Sequence, residues 1–251
     1  MKIDYPAQSQ IPALQKLWQE AFDDGTDFLE SFFSSGFAAD RCRCVSMDGT
    51  PVAALYWFDC QLNDRPIAYL YAVATAQAHR GKGLCRALLE NTHTQLAYLG
   101  YAGVVLVPGT QALFQMYEKL GYTVCSTVSE FSCAAAEQPV SLRAIDAAEF
   151  ASLRRKYLPK DGVVQEWVNL DFLQTMAQFY AGEDFLLTVS CEEGAFFAPE
   201  LLGNDYAAPS ILTAFGKKEG TFRTPGGNKP FAMYLALDQL PAPTYFGFAF
   251  D

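Results

Sequence analysis

Histidine is nearly absent from this chain: only His79 and His93 occur in 251 residues. Neither stands at metal-site spacing from a cysteine pair, so no metal centre is expected. The seven cysteines (Cys42, Cys44, Cys60, Cys85, Cys125, Cys133 and Cys191) are scattered and odd in number. They read as buried thiols of a protein from a reducing cytoplasm, not as a disulfide framework. The opening Met1-Lys2-Ile3-Asp4 carries no apolar signal segment, and no run approaches the length that spans a bilayer, so no membrane role is expected. Positive charge is scarce too, with 18 Lys+Arg against 28 Asp+Glu and a formal net charge of −10. Such a surface makes nucleic acid and anionic membranes poor partners; it either draws amine-bearing ligands or serves solubility alone.

What is present is apolar and aromatic: 51% of residues are hydrophobic and 14% aromatic, the composition of a folded chain. Ile11, Leu14, Leu17, Trp18 and Phe22 recur at helical spacing, with Ser9 as a cap and Pro12 tolerable in the first turn. A second short helix is expected over Asp27 to Ser34. Arg41 to Met47 reads as a strand, Asp48-Gly49 as a turn and Pro51 to Leu62 as the hairpin partner. Asn63-Asp64-Arg65 turns into a strand ending near Thr75. A helix follows from Leu84 to Gly100, then a short apolar strand at Gly103 to Val107 and a helix from Gln111 to Leu120. Two β segments are expected between Tyr122 and Cys133. This order, α-α-β-β-β-α-β-α-β, predicts an α/β fold, a mixed sheet with helices on its faces.

Ala134 to Pro139 reads as a linker, and the pattern then faintly restarts. Val140 to Ala144 reads as a strand, and Asp146 with Glu149 as a capping box ahead of Phe150, Leu153 and Tyr157. A helix is expected over Glu166 to Tyr180, and a hairpin of Phe185 to Ser190 with Ala195 to Leu202. Gly226-Gly227 is followed by a strand-like run, Lys229 to Leu235, so the second half lacks a glycine turn that opens a helix. Tyr245 to Phe250 is expected as a last strand, ending at the carboxylate of Asp251.

The richest chemistry lies at Arg80-Gly81-Lys82-Gly83-Leu84-Cys85, between the apolar run Tyr69 to Val73 and a helix start. A strand, a glycine-punctuated turn and a helix N-terminus aim several backbone N–H groups at one spot, within the positive end of the helix dipole. Glycines let a ligand approach without a Cβ in the way. This arrangement predicts a phosphate or diphosphate ligand.

The residues from Val73 to Tyr122 resemble the GNAT superfamily of acetyl-CoA-dependent N-acetyltransferases. Arg80, Gly83 and Cys85 match its Arg/Gln-x-x-Gly-x-Gly/Ala turn, and Tyr117, Gly121 and Tyr122 match its Tyr-x-x-x-Gly-aromatic helix end. The resemblance implies that backbone N–H groups of Gly81, Lys82, Gly83, Leu84, Cys85 and Arg86 hold the CoA diphosphate, with Arg80, Lys82 and Arg86 screening its charge. It implies that Val73, Ala74 and Thr75 pair their backbone with pantetheine as with an added strand. Tyr117 matches the family's general acid, which reprotonates the departing thiolate; Asp59, Glu118 and a bound water stay open as the base. Tyr117 also shares a helical face with Leu113, Met116 and Leu120, as a packed aromatic does. Cys85 stands where the family prefers glycine or alanine, and a helix N-terminus is expected to lower its pKa. Val107-Pro108-Gly109 departs from the asparagine many members place after that strand. His79 reads as a packing residue and His93 as a surface one.

The layout resembles members with an active first half, here residues 1–134, and a degenerate GNAT-like second half, here 140–251, that shapes the acceptor pocket. In such relatives the chain's terminal carboxylate can enter the active site, which singles out Asp251. The implied reaction is acetyl transfer from acetyl-CoA, as co-substrate, to a primary amine of a small molecule. A peptide or protein N-acetyltransferase and a non-catalytic acyl-CoA-binding protein remain as alternatives. The oligomeric state is open, a homodimer included.

Overall fold

The structure, a computed structural model, describes residues 1–191 and 194–249. It divides into two compact units: Met1–Cys60 with Asp64–Leu106 and Leu235–Pro241, and Gln61–Asn63 with Val107–Tyr234 and Ala242–Asp251. Among the described residues no helix is long and apolar enough to cross a membrane.

The first unit begins with β1 (Lys2–Asp4), then α1 (Ile11–Phe22) and α2 (Thr26–Ser31). It continues through β2 (Cys42–Met47), β3 (Thr50–Leu62) and β4 (Arg65–Thr75), then α3 (Leu84–Tyr98) and β5 (Gly103–Leu106). Its strands lie in the order β1-β2-β3-β4-β5. The pairings β1–β2 and β2–β3 are antiparallel and β4–β5 is parallel, so the sheet is mixed. Both hairpin turns adopt the positive φ that a two-residue loop demands: Asp48 at 50° with Gly49 at 82°, and Asn63 at 50° with Asp64 at 60°. Strand β3 is buried almost without alternation from Val52 to Phe58, as expected of a strand covered on both faces. Leu14, Leu17 and Trp18 of α1 and Leu88, Leu89 and Leu96 of α3 supply that cover from their buried faces.

The second unit holds α4 (Gln111–Glu118), β6 (Thr123–Ala134), β7 (Leu142–Ile145), α5 (Ala147–Tyr157), β8 (Val164–Gln165) and α6 (Val168–Leu173). Then come β9 (Ala177–Gly182), β10 (Phe185–Ser190), β11 (Phe196–Ala198), β12 (Glu200–Gly203), α7 (Ala208–Ala214), β13 (Glu219–Pro225) and β14 (Lys229–Ala236). One sheet has the order β12-β10-β9-β7, and the strands β14-β6-β13-β11 follow one another in the other.

Part of the second unit parallels the first in strand order. The neighbours β7-β9-β10-β12 mirror β1-β2-β3-β4, with helices α5 and α6 in the place of α1 and α2. The stretch equivalent to β4 is broken at Pro199: β12 stays antiparallel to β10, while β11 pairs parallel with β13. In the first unit β4 is unbroken between β3 and β5, its early residues pairing parallel with β5.

Four expectations are corrected. Segment 123–134 is one long strand, not two. Glu166 to Tyr180 is not a helix: α6 covers only Val168–Leu173, and Ala177–Gly182 is a strand whose alternating burial fits a place between β10 and β7. The helical apolar spacing is real, but sheet pairing overrides it. Ala195 to Leu202 forms two strands in two sheets, because Pro199 cannot continue a ladder. Residues 246–249 form no strand; Ser126 Oγ bridges the Phe246 carbonyl (2.9 Å) and amide (3.1 Å), Gln165 donates to the Phe248 carbonyl (2.8 Å) and Arg223 to that of Ala249 (3.0 Å). Glu192, Glu193, Phe250 and Asp251, and with them the terminal carboxylate, lie outside the described residues.

Candidate active site

The site begins with a strand that leaves its neighbour. Pairing of β4 with β5 runs from Ile67↔Gly103 to Tyr69↔Val105 and stops there. Three residues on, Ala72 adopts a φ of 49°, a conformation that costs a non-glycine residue free energy and turns the strand out of register. Val73, Ala74 and Thr75 therefore run beyond the paired stretch, with backbone available on the β5 side. No sequence signal marks Ala72, since alanine is neither a turn former nor a breaker.

Beyond Thr75 a 3-10 turn, Gln77–His79, leads into the glycines. Gly81 and Gly83 take φ of 74° and 76°, and a Cβ built on either meets nothing within 4 Å. Gly83 is the N-cap of α3, a 15-residue helix long enough to carry a full dipole. The first hydrogen bond back into the turn is Ala87 N–H to the Gly83 carbonyl, 3.0 Å. Among the described residues, none of the N–H groups of 81–86 has an acceptor. Left-handed glycines and unpaired amides around one helix start form a cradle for an anion.

The side chains of the motif divide by role. Arg80 Nε donates to the Thr75 carbonyl (3.1 Å) and Lys82 Nζ to that of Ala78 (2.8 Å), so both brace the turn and keep their charge beside it. Arg86 Nε pairs with Glu90 at 2.8 Å, one helical turn on. Leu84 buries its side chain and offers only its amide. Cys85 is half-buried, and burial pushes its thiol up, against the expectation that the helix N-terminus lowers it. Thr75 Oγ1 and His79 Nδ1 are buried without a partner, so the turn holds polar atoms that the chain itself leaves unsatisfied.

Tyr117 sits in the last turn of α4, whose N-cap Thr110 accepts from the Leu113 amide at 3.3 Å. Its side chain is buried, edge-on to Tyr122 with ring centroids 5.4 Å apart. Asp59 is fully committed: Arg41 Nε donates to both its oxygens at 3.0 Å, Arg41 Nη2 reaches Oδ2 at 2.8 Å, and the Tyr101 hydroxyl donates to Oδ1. A carboxylate so occupied has no lone pair to spare for an amine proton. Burial and that bond push Tyr101 up to about 12. Glu118 is exposed. His93, expected on the surface, is half-buried on α3, and burial pushes it down to about 4.

The second unit places its counterpart of this turn at 203–208, between β12 and α7, and not at Gly226-Gly227, where the glycine pattern points. There the amides are used internally. Asn204 N–H reaches the Asp184 carbonyl (3.0 Å), Tyr206 N–H the Asn204 side chain (3.1 Å), Ala207 N–H the Asn204 carbonyl (3.4 Å), and Ala208 N–H the Asp205 carbonyl. Pro209 removes one further donor.

Residues 2–125 match a family model described as the acetyltransferase (GNAT) domain. A search of curated proteins finds no match. In three dimensions the chain is similar to a GCN5-related N-acetyltransferase from Anabaena variabilis, with a TM-score of 0.77 at 14% identity over 94% of this chain and 73% of that one. A GCN5-related N-acetyltransferase from Kribbella flavida gives 0.70 at 16% identity, covering 94% and 71%. Eis1 from Mycobacterium abscessus gives 0.66 at 12% identity, covering 95% and 74%. These likenesses extend through both halves of the chain and concern its fold.

Proposed function

Since this chain belongs to the GNAT acetyltransferase family through residues 2–125, we propose that it moves an acetyl group from acetyl-CoA to a primary amine of a small molecule by direct attack. One observation carries the reading: the unpartnered N–H groups of 81–86 around two left-handed glycines, with open space where a Cβ would stand. That cradle fits a diphosphate. Arg80 and Lys82, held against the turn by their own carbonyl bonds, add fixed positive charge. Val73, Ala74 and Thr75, past the last β4–β5 pair, supply a strand edge for the pantetheine arm.

Bound acetyl-CoA supplies an acyl carbon attached to a thiolate leaving group. Backbone N–H groups near Val73 polarise the carbonyl as the amine nitrogen forms its bond to that carbon. As the C–S bond breaks, Tyr117 gives its phenolic proton to the sulfur, and the proton shed by the nitrogen passes to Glu118 or water. Asp59 takes no part, because Arg41 and Tyr101 occupy it. The same proposal assigns catalysis to residues 1–134 and leaves 140–251 as a GNAT-like half without a donor site. In support, every amide named in its turn is already bonded, and Gly226-Gly227 leads into β14 instead of a helix. The test is calorimetry with CoA followed by thiol release from acetyl-CoA across a panel of amines. Binding of one CoA per chain and amine-dependent release of thiol are expected; no affinity for CoA overturns the reading.

A further inference from the structure

A carboxylate is out of place beside a cradle for an anion, yet one stands there. Glu20 lies in the last turn of α1 and is exposed. Its Oε1 accepts from the Gln77 amide, 57 positions along the chain, at 2.5 Å. Gln77 opens the 3-10 turn 77–79 that runs straight into Arg80 and the two glycines. Arg80 and Lys82, the basic residues of that turn, direct their bonds to the Thr75 and Ala78 carbonyls instead. The Glu20 side chain is therefore engaged with backbone and not with a cation of the turn.

The bond answers a local deficit. The first amides of a helical turn have no acceptor within it, and the usual remedy is a Ser, Thr, Asp or Asn side chain at the N-cap. Here the N-cap is Ala76, which makes no side-chain cap bond. The amide of Ala76 is spent on the Val52 carbonyl of β3 at 2.9 Å. Glu20 supplies the missing acceptor from another helix. That helix is fixed on the sheet: Leu14, Leu17 and Trp18 are buried, and the Trp18 ring centroid lies 5.8 Å from that of Tyr71 in β4. Trp18 Nε1 also donates to Asp24, just past the end of α1, at 2.7 Å. Two neighbouring amides thus hold the turn, one to β3 and the next to α1, immediately after the strand edge of Val73 to Thr75.

Resting on the function proposed above, we infer that Glu20 is a positioning residue of the donor site. By capping the Gln77 amide it fixes the course of the chain from the strand edge into the glycine cradle before acetyl-CoA arrives. It acts through the turn and not on a reacting atom. A loop ordered in advance leaves less entropy for binding to overcome. The charge of Glu20 works the other way, since a carboxylate near an anion site weakens binding. The two effects can be separated, because glutamine keeps the acceptor oxygen and drops the charge, whereas alanine drops both.

The test compares Glu20→Ala and Glu20→Gln with the unaltered chain. Calorimetry with CoA is expected to show about fivefold weaker binding in Glu20→Ala, the scale of one lost hydrogen bond, and no weakening in Glu20→Gln. KM for acetyl-CoA should rise by the same factor in Glu20→Ala, while kcat at saturating acetyl-CoA stays as it was. Equal affinities in the two variants overturn the inference, because charge alone then matters. A lowered Tm with undiminished CoA affinity of the folded Glu20→Ala chain overturns it as well, leaving Glu20 a role in stability only. A second measurement needs no ligand: deuterium exchange of the Gln77 amide should speed up at least about fivefold in Glu20→Ala and not in Glu20→Gln. If the unaltered chain binds no CoA, the function proposed above fails and the exchange rates alone decide. Acceleration confined to the turn then supports Glu20 as its brace, and unchanged rates overturn it.

Discussion

The turn at 76–86 joins β4 to α3 and the turn at 203–208 joins β12 to α7, and they treat their backbone in opposite ways. In the first, glycines at φ near 75° leave the amides of 81–86 unbonded at the head of a 15-residue helix. In the second, Asn204 and Asp184 consume the amides and a seven-residue helix follows. The charges differ as well. Arg80, Lys82 and Arg86 attend the first turn, whereas Asp184 and Asp205 attend the second. A strand–turn–helix therefore binds an anion only when its donors are not already spent, and topology alone cannot say which case holds.

The second unit has put its polar groups into holding itself together. Arg154 and Glu200 are each 1% exposed and joined by bonds of 2.7 and 2.8 Å, with Tyr245 donating to the same carboxylate at 3.0 Å. Removing one partner of such a pair strands the other charge, so Glu200→Ala should cost about 3–5 kcal/mol in urea unfolding. CoA affinity of the chain that remains folded should not change. A cost below about 1 kcal/mol would break the contrast between a structural and a binding half.

Next in size is the turn itself. Gly83→Asp places a Cβ at a φ of 76° and a carboxylate among the free amides, and CoA affinity should fall about a hundredfold by calorimetry. The reciprocal change, Asp205→Lys, should add no second CoA per chain, because the amides there remain bonded; a stoichiometry of two sinks the comparison. A smaller effect separates α3 from α7, which carries no ionisable side chain. His93 titrates near 4 in the fold and near 6.5 when unfolded. The unfolded state then binds more protons between these values, so stability falls by about 2 kcal/mol as pH drops from 6.5 to 4. His93→Gln should flatten that part of the urea midpoint against pH; an unchanged slope assigns it elsewhere. The smallest change expected is in Tyr117→Phe: turnover drops by at least about tenfold with CoA affinity intact. Unaltered turnover removes Tyr117 from the reaction.

Legibility followed locality. The hairpin turns at Asp48-Gly49 and Asn63-Asp64, helix α1 and the glycine turn were readable because each depends on residues a few positions apart. Asp146 caps α5 as its spacing predicts, accepting from the Glu149 amide at 2.8 Å. The reciprocal half of the capping box is absent, since Glu149 turns to Arg143. Glu166 to Tyr180 defeated the reading because a helical apolar rhythm and a half-buried strand overlap there, and only the partners β7 and β10 decide. At Cys85 the local rule predicts a lowered thiol pKa, whereas burial, which consecutive residues do not reveal, pushes it up.

Sequence by itself determined the glycine turn at the head of α3 and the match of residues 2–125 to the GNAT domain model, because glycine conformations and a helix start are written in consecutive residues. Tertiary structure decided where β4 parts from β5, which amides of the second unit are already used, that Asp59 is clamped, and that Glu20 meets the Gln77 amide. Each of these depends on groups far apart in the chain, whose meeting is set by packing and hydrogen-bond satisfaction over the whole fold.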